Sequence, residues 1–353
     1  MNYKRTSPMT WDDSIHLIDS SYRTFRRLIK RAIKQKKLSE ADRARLLALM
    51  GKRPMSGRLR FSDLDARREF ANLVAAEVKQ LAEDRIERSF FHLTLLADEG
   101  IMSDRTPKFD LKLLSEKATR AARAAGLEAI FTIEVQPLTN WPGGGKGRSL
   151  LCHVHIVGWV PKGSACDSVA KIRKALGAGK KRRNLAWSCR FGAKPILVKR
   201  ITARMGCPSY WGAYILKGLK DAKKRIPRSA EEVAKGKSPF KFLDTVSGLR
   251  PEFALRAFEM FAQLPLFATI GGVGEGAAVL RRCKNRLSLW DAERQLMWAG
   301  KGLLPLRPFD DRALWALVRQ KGKTARYDEF FIYGPSIRRP KHPPGGYDEP
   351  AGS

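Results

Sequence analysis

The sequence predicts an α+β protein in which helices pack on a central, mostly antiparallel sheet. Short apolar strands alternate with amphipathic helices through the middle of the chain, in the order strand, helix, strand, strand, helix, strand, helix. Hydrophobic residues make up 43% of the 353 residues, which is enough to bury a sizeable core. Both observations favour a layered α+β architecture. Helical regions are expected on either side of this core.

The first of these regions is basic and covers residues 1–88. Apolar residues recur at three- and four-residue steps over 11–50 and again over 63–86, which is typical of amphipathic helices. Lys and Arg occupy the other faces of these helices. Such faces are either solvated surface or a surface that contacts DNA or substrate, and the sequence leaves both interpretations open.

The core begins with a strand over 90–96, which is rich in aromatic and aliphatic residues and is expected to end at 98–100. An amphipathic helix follows over 110–125, with Gly126 after its last turn. His92 lies alone among the apolar residues of the strand. We interpret it as a structural histidine.

Two further strands are predicted over 127–136 and 150–159. Pro137 is expected to end the first, and the Gly-rich loop 137–149 joins them, so that they form an antiparallel hairpin. The loop does not have the spacing of a phosphate-binding Walker A motif.

A short helix over 166–177, a strand over 194–201 and a helix from Pro208 to about Lys224 complete the predicted core. Basic residues cluster in the Gly-rich loop and again after the short helix. The candidates for phosphate contact are Lys146, Arg148, Lys180, Lys181, Arg182 and Arg183.

Beyond the core we expect a linker over 226–250 and a helical, basic C-terminal region over 251–337. The tail, 338–353, is rich in Pro and Gly and is expected to be disordered. Within the C-terminal region the periodicity predicts helices over 251–264, 279–299 and 308–320.

The charge of the chain indicates a polyanionic partner. Lys and Arg total 68 against 35 acidic residues, a net charge of +33, and the basic residues are spread along the whole chain. This distribution favours an extended nucleic-acid surface over a membrane anchor. The sequence contains no run of 18 apolar residues and no apolar leader, and its five cysteines form no C-x-x-C pair. We therefore expect a cytoplasmic protein with reduced thiols and no membrane partner.

The most informative stretch is the strand that carries His153 and His155. Side chains alternate along a strand, so the two imidazoles share one face, with about 7 Å between them. This spacing suits two ligands of one metal ion. The alternative is that each histidine sits on a half-buried strand and is hydrogen-bonded to a neighbour.

Glu134 lies on the preceding strand and is the candidate for a third ligand. Two imidazoles and one carboxylate form a mixed nitrogen and oxygen set that can hold Mg²⁺ or Mn²⁺ with open positions. The alternative is a carboxylate that faces solvent.

Tyr210 and Tyr214 lie four residues apart on a predicted helix and therefore project from one face, with Lys217 one turn further on. A phenolate is a competent nucleophile toward phosphorus. Because the unperturbed pKa of tyrosine is about 10, a metal or Lys217 would be needed to favour this form. The alternative is that the pair packs in the core around Trp211 and Ile215.

These motifs resemble those of the HUH endonuclease superfamily, which is named for a His-hydrophobic-His motif like His153-Val154-His155. The strand 91–95 looks like the first family motif, Glu134 looks like the acidic residue that precedes the histidines, and Tyr210 and Tyr214 look like the tyrosines of its two-tyrosine members. Those members are rolling-circle replication initiators of the bacteriophage gene A type, and plasmid Rep proteins are related. The resemblance covers the range 89–225.

The resemblance implies that the protein nicks single-stranded or hairpin DNA at a replication origin. It implies a 5′-phosphotyrosine intermediate and a free 3′-OH that primes replication, with Mg²⁺ or Mn²⁺ at the histidines. Because no Walker A motif is present, a host helicase and polymerase are expected partners, in the cytoplasm of a bacterial host.

Three other interpretations stay open. The protein could be an HUH-type transposase or relaxase, or a basic DNA-binding protein without catalysis.

Ala213 stands where the family usually has a lysine, and this leaves open whether both tyrosines react. A histidine-triad hydrolase is disfavoured, because the next alternate position on the strand is Val157.

Overall fold

The computed structural model confirms the predicted α+β class, with helices packed on a mostly antiparallel sheet. It describes residues 9–35, 59, 61, 63–103, 110–139, 148–178, 186–189, 193–217, 223–237, 239–244 and 265–299. The helices in these ranges are α1 (Trp11–Gln35), α2 (Leu64–Glu83), α3 (Leu111–Ala124), α4 (Val169–Ala175), α5 (Pro208–Tyr214), α6 (Ala230–Ala234) and α7 (Glu275–Ala299). The strands are β1 (Arg88–Ser103), β2 (Glu128–Thr139), β3 (Arg148–Pro161), β4 (Ile196–Arg200), β5 (Lys223–Pro227), β6 (Phe240–Asp244) and β7 (Ile270–Val273).

The strands form one seven-stranded sheet in the order β4-β1-β3-β2-β5-β6, and β7 also pairs with β2. The pairs β1–β3, β1–β4, β2–β3 and β2–β7 are antiparallel, whereas β5 joins the end of β2 in parallel. Strands β2 and β3, which are consecutive in the chain, form the hairpin that the sequence predicts. This hairpin occupies the middle of the sheet.

Strand β1 is longer than predicted. The expected end at residues 98–100 is wrong, because pairing with β3 resumes after a register shift between Leu96 and Ile101 and continues to Ser103. Gly100 lies within this irregularity. A Cβ atom there would overlap the carbonyl oxygen of Cys152, so the absence of a side chain allows the two backbones to approach each other.

Strand β2 also continues past its predicted end. Pro137 does not terminate it, because the ladder with β3 runs on to Thr139. Within the ladder Pro137 lies opposite Leu150. A proline can occupy a strand position that needs no N–H donor, and this makes Pro an unreliable stop signal here.

The helix that carries the two tyrosines is much shorter than predicted. We expected it to reach about Lys224, but α5 ends at Tyr214, and the chain turns before β5 begins at Lys223. We also expected an irregular linker over 226–250, but the described part of this range forms regular helix and strands. That range holds the end of β5, the helix α6 and the strand β6. Strands β5 and β6 carry many Lys and Arg residues, which are common on edge strands. These charges make the alternating pattern of a strand difficult to recognise in the sequence.

Helices α1 and α2 pack directly against α5. Helix α2 packs against α5 and α7, and α1 packs against both α2 and α5. Gly212 faces α2, where an added Cβ would lie 3.1 Å from Cγ2 of Val78. The small residue thus lets α5 approach α2 closely. The contact is dry, since Val78 and Phe70 are both fully buried.

The remaining predicted helices agree with the structure where it describes them. Helices α1, α2, α3 and α7 lie within or close to the predicted ranges. The predicted residues 36–50, the helices over 251–264 and 308–320, and the tail 338–353 lie outside the described residues. The five cysteines carry no disulfide. In the described part of the chain, none of the helices combines the length and the apolar character needed to cross a bilayer.

Candidate metal centre

Three buried side chains meet on one face of the central hairpin. Glu134 of β2 lies directly opposite His153 of β3, and His155 is two residues further along β3. All three side chains therefore point to the same face, as strand alternation predicts. They are almost fully buried, and their ligand atoms lie within 4.8 Å of one another.

The separations between these atoms fit a metal ion. Nε2 of His153 lies 2.9 Å from Nε2 of His155, and Nε2 of His155 lies 3.4 Å from Oε2 of Glu134. With bonds of about 2.1 Å, adjacent ligands of an octahedral Mg²⁺ or Mn²⁺ lie about 3 Å apart. The donor set and its spacing therefore suit such an ion.

A buried acceptor without a partner supports the same conclusion. Oε1 of Glu134 is buried and accepts no hydrogen bond from the described residues. Leaving a buried carboxylate oxygen unsatisfied is costly, on the order of 1–3 kcal/mol or more for a charged group. A cation bound by Glu134, His153 and His155 would satisfy this oxygen.

Both histidines are oriented through their second ring nitrogen. Nδ1 of His153 lies 3.3 Å from the carbonyl oxygen of Leu151, to which it can donate. Nδ1 of His155 lies 3.2 Å from Oγ1 of Thr94 and 3.2 Å from Nε2 of His92. With Nδ1 protonated in each ring, both Nε2 lone pairs are free to bind metal.

His92 is buried, as expected of a structural histidine, but it lies beside the candidate metal ligands. Its ring stacks on His155 with centroids 5.2 Å apart and also contacts the rings of Trp211 and Tyr214. Strand alternation already places His92 and Thr94 on one face of β1. Only the pairing of β1 with β3, with Thr94 opposite His155, brings that face to the metal centre.

Burial keeps His153 and His92 neutral. Desolvation, reinforced by the neighbouring His155, lowers the pKa of His153 to about 3. The same two causes, in the same order, hold the pKa of His92 well below its usual value. Neutral imidazole is the form that binds a metal, so His153 is in its metal-binding form at neutral pH.

Tyr214 faces this centre from the end of α5. Its ring centroid lies 5.9 Å from that of His155 and 5.6 Å from that of His92, edge-on in both cases. Unlike the metal-binding side chains, Tyr214 is partly exposed. Part of the Tyr214 side chain is therefore open to solvent.

Tyr210 is placed on the same side of α5, as the four-residue spacing predicts, with its ring 5.8 Å from that of Tyr214. It also packs edge-on against Trp211, at 5.3 Å, and is only 5% exposed. The structure thus brings both tyrosines together, with Tyr214 the more accessible of the two.

Lys217 reaches the centre although α5 ends before it. Nζ of Lys217 donates to Oε2 of Glu134 at 2.8 Å and lies 4.1 Å from the ring centroid of Tyr214. Burial of the ammonium group opposes its charge, but Glu134 and Tyr214 outweigh this and raise the pKa of Lys217. A fixed positive charge therefore lies between the carboxylate and the phenol.

The structure does not describe the side chains that are candidates for phosphate contact. Lys146, Lys180, Lys181, Arg182 and Arg183 lie outside the described residues. The backbone of Arg148 begins β3, opposite Thr139, but its side chain is not described.

Comparison of the chain with protein-family models, curated proteins and solved structures finds no significant match. The function has to be inferred from the residues of the site.

Proposed function

We propose that this protein is a metal-dependent DNA endonuclease and strand transferase of the HUH type, which cuts single-stranded or hairpin DNA through a tyrosine. One observation carries the proposal. The accessible phenol of Tyr214 lies against the buried set Glu134, His153 and His155, with Lys217 between phenol and carboxylate. A candidate nucleophile, a set of candidate metal ligands and a fixed positive charge are thus in contact with one another.

In the proposed reaction, Oη of Tyr214 attacks a backbone phosphorus atom. Oη loses its proton as the new Tyr–O–P bond forms and the bond between phosphorus and the 3′ oxygen breaks. The electron pair of the broken bond stays on the 3′ oxygen, which takes up a proton in exchange. The products are a 5′-phosphotyrosine and a free 3′-OH, so atoms and charge balance.

Each chain residue has a defined role in this step. Lys217 places a positive charge beside Tyr214, because its ammonium group lies over the ring. Glu134, His153 and His155 would hold Mg²⁺ or Mn²⁺ through one oxygen and two nitrogen atoms. When bound, that ion polarises the phosphodiester and offsets the negative charge that builds on its oxygens.

The second tyrosine supports a joining step after cleavage, and the overall charge supports DNA as the substrate. Tyr210 lies beside Tyr214, which would allow a second transesterification that joins the strand again. A net charge of +33 suits a DNA substrate. We propose that the nick at a replication origin starts rolling-circle replication, for which a host helicase and polymerase supply unwinding and synthesis.

The decisive experiment measures covalent attachment. The protein is incubated with single-stranded DNA of the replicon that encodes it, with Mn²⁺, Mg²⁺ or EDTA, and analysed on a denaturing gel. We expect a metal-dependent protein–DNA adduct that is lost in the double variant Tyr210→Phe/Tyr214→Phe. Salt-sensitive binding without any adduct would overturn the proposal in favour of a DNA-binding protein without catalysis. ATP-dependent unwinding by the purified protein would contradict the expected need for a host helicase.

A further inference from the structure

The C-terminal half of α1 carries a row of exposed basic side chains. Arg23, Arg27, Lys30, Arg31 and Lys34, which we call the α1 stripe, are all exposed. At 100° per residue they fall within about 100° of the helix circumference, and the row is about 16 Å long. They therefore form one continuous cationic surface.

No ion pair among the described residues neutralises the stripe. The acidic residues of α1, namely Asp12, Asp13 and Asp19, all lie in its first nine residues. Within the described residues, no acidic side chain forms an ion pair with the stripe. Like charges four residues apart, as in Arg23 and Arg27, destabilise a helix. A bound polyanion would remove this repulsion.

Contacts with α2 connect α1 to the end of α5 that carries Tyr214. Nη2 of Arg67 donates to the carbonyl oxygen of Leu216, two residues after Tyr214, at 2.9 Å. The next residue, Arg68, forms an ion pair with Asp19 at 3.2 Å. Consecutive residues of α2 thus hold the end of α5 and the middle of α1, four residues before the stripe begins.

The direction of α1 leaves the stripe beyond the helix packing. The carbonyl oxygen of Met9 accepts from the N–H of Cys207, just before α5, whereas Asp19 lies beside Arg68 near the start of α2. Helix α1 therefore runs from the start of α5 toward its end and past the first turn of α2. At a rise of 1.5 Å per residue, the stripe begins about 6 Å beyond Asp19 and ends about 22 Å beyond it.

We propose that the α1 stripe binds the phosphate backbone of the single DNA strand whose scissile phosphate is held at Tyr214. The inference rests on the proposed nuclease function and adds the element that grips the flanking nucleotides. A row of about 16 Å can span several consecutive phosphates of one strand. The recognition is electrostatic, so it is independent of sequence and sensitive to salt.

The test compares two triple variants that remove equal charge. Arg27→Gln/Lys30→Gln/Arg31→Gln alters the stripe, and Arg120→Gln/Arg123→Gln/Lys174→Gln alters exposed cations of α3 and α4. Binding of a fluorescein-labelled single-stranded 30-mer is followed by anisotropy between 50 and 300 mM NaCl. Circular dichroism verifies that both variants keep the helical content of the wild type.

We expect the stripe variant to lose about tenfold or more in affinity at 150 mM NaCl, and its log–log salt slope to fall by about 2, since each single-strand phosphate contact contributes about 0.7. The control should lose less than about threefold and form the adduct at the wild-type rate. Equal DNA affinity of the two variants, or an unchanged salt slope in the stripe variant, overturns the inference.

Adduct formation by the wild type is measured separately. Its absence would refute the nuclease proposal, while the binding comparison would still decide whether the stripe contacts DNA.

Discussion

The phenol ring of Tyr214 lies 5.9 Å from the imidazole of His155, edge-on, with 78° between the ring planes. The two residues are 59 positions apart in the chain and belong to different elements, a short helix and a central strand. Their proximity joins the candidate nucleophile to the candidate metal ligands. The predictions below test the parts of this arrangement one at a time.

The two tyrosines should differ in reactivity. Because Tyr214 is the more accessible and lies against His92 and His155, Tyr214→Phe should lower the rate of the first cleavage by about a thousandfold or more, since it removes the nucleophile. Tyr210→Phe should retain the first cleavage and impair the joining step. Single-turnover adduct formation and religation of the cut strand measure the two steps. A larger loss of first cleavage in Tyr210→Phe would reverse the assigned order.

Metal should stabilise the protein through the buried ligands. At an Mn²⁺ concentration of about 100 times the Kd, the expected gain is about 2.7 kcal/mol, which raises Tm by several degrees. His153→Ala should abolish this increase, because it removes one of three ligands. His16, which is exposed on α1, provides the matched control. An equal Mn²⁺-dependent rise in Tm for His153→Ala and His16→Ala would show that the ion binds elsewhere.

The metal-free protein should lose stability as the pH falls below about 6.5. Burial lowers the pKa of His153 to about 3, so between these values the unfolded chain binds more protons than the folded one. The contribution of neutral His153 to the free energy of unfolding is therefore complete above pH 6.5, and it is lost as the pH falls toward 3. Between pH 6.5 and 5 this amounts to about 2 kcal/mol.

Urea denaturation in EDTA at several pH values measures this effect. His153→Gln should flatten the pH dependence of the free energy of unfolding in this range, whereas His16→Gln should keep the wild-type slope. If the slopes of the wild type and His153→Gln coincide, the buried imidazole does not control acid stability.

Thr94 should act through His155. Its hydroxyl lies 3.2 Å from Nδ1 of His155 and helps to fix the tautomer that frees Nε2. Thr94→Val removes this partner at similar volume and should weaken Mn²⁺ binding about 10–100-fold, as is typical for such outer partners. Thr94→Ser should restore binding. Calorimetric titration measures the affinity, and failure of Ser to rescue would indicate a packing effect.

Packing of α5 against α2 should control the position of Tyr214. An added Cβ at Gly212 would lie 3.1 Å from Cγ2 of Val78, so Gly212→Val introduces an overlap that costs about 1–3 kcal/mol. We expect a lower Tm and slower cleavage but unchanged Mn²⁺ affinity per folded molecule, because the ligands lie on the strands. A parallel loss of Mn²⁺ affinity would mean that the helix also shapes the metal centre.

The local sequence already determined most of the central elements and the three candidate ligands. Alternation along a strand puts His153 and His155 on one face whatever the surrounding fold, and their hairpin partner Glu134 follows from the adjacent strand. The four-residue spacing of Tyr210 and Tyr214 fixes their common side of a helix in the same way. These are local rules, and the sequence expresses them directly.

The tertiary structure determined where several elements end and which distant segments lie side by side. The end of α5 at Tyr214, the continuation of β1 past Gly100 and the strands inside the expected linker all depend on partners far away in the chain. So does the role of His92, which becomes a neighbour of His155 only when β1 pairs with β3. Pairing between distant segments is set by burial and backbone hydrogen bonding of the whole sheet. No single stretch of sequence carries that information, whereas the chemistry of each side chain is present from the start.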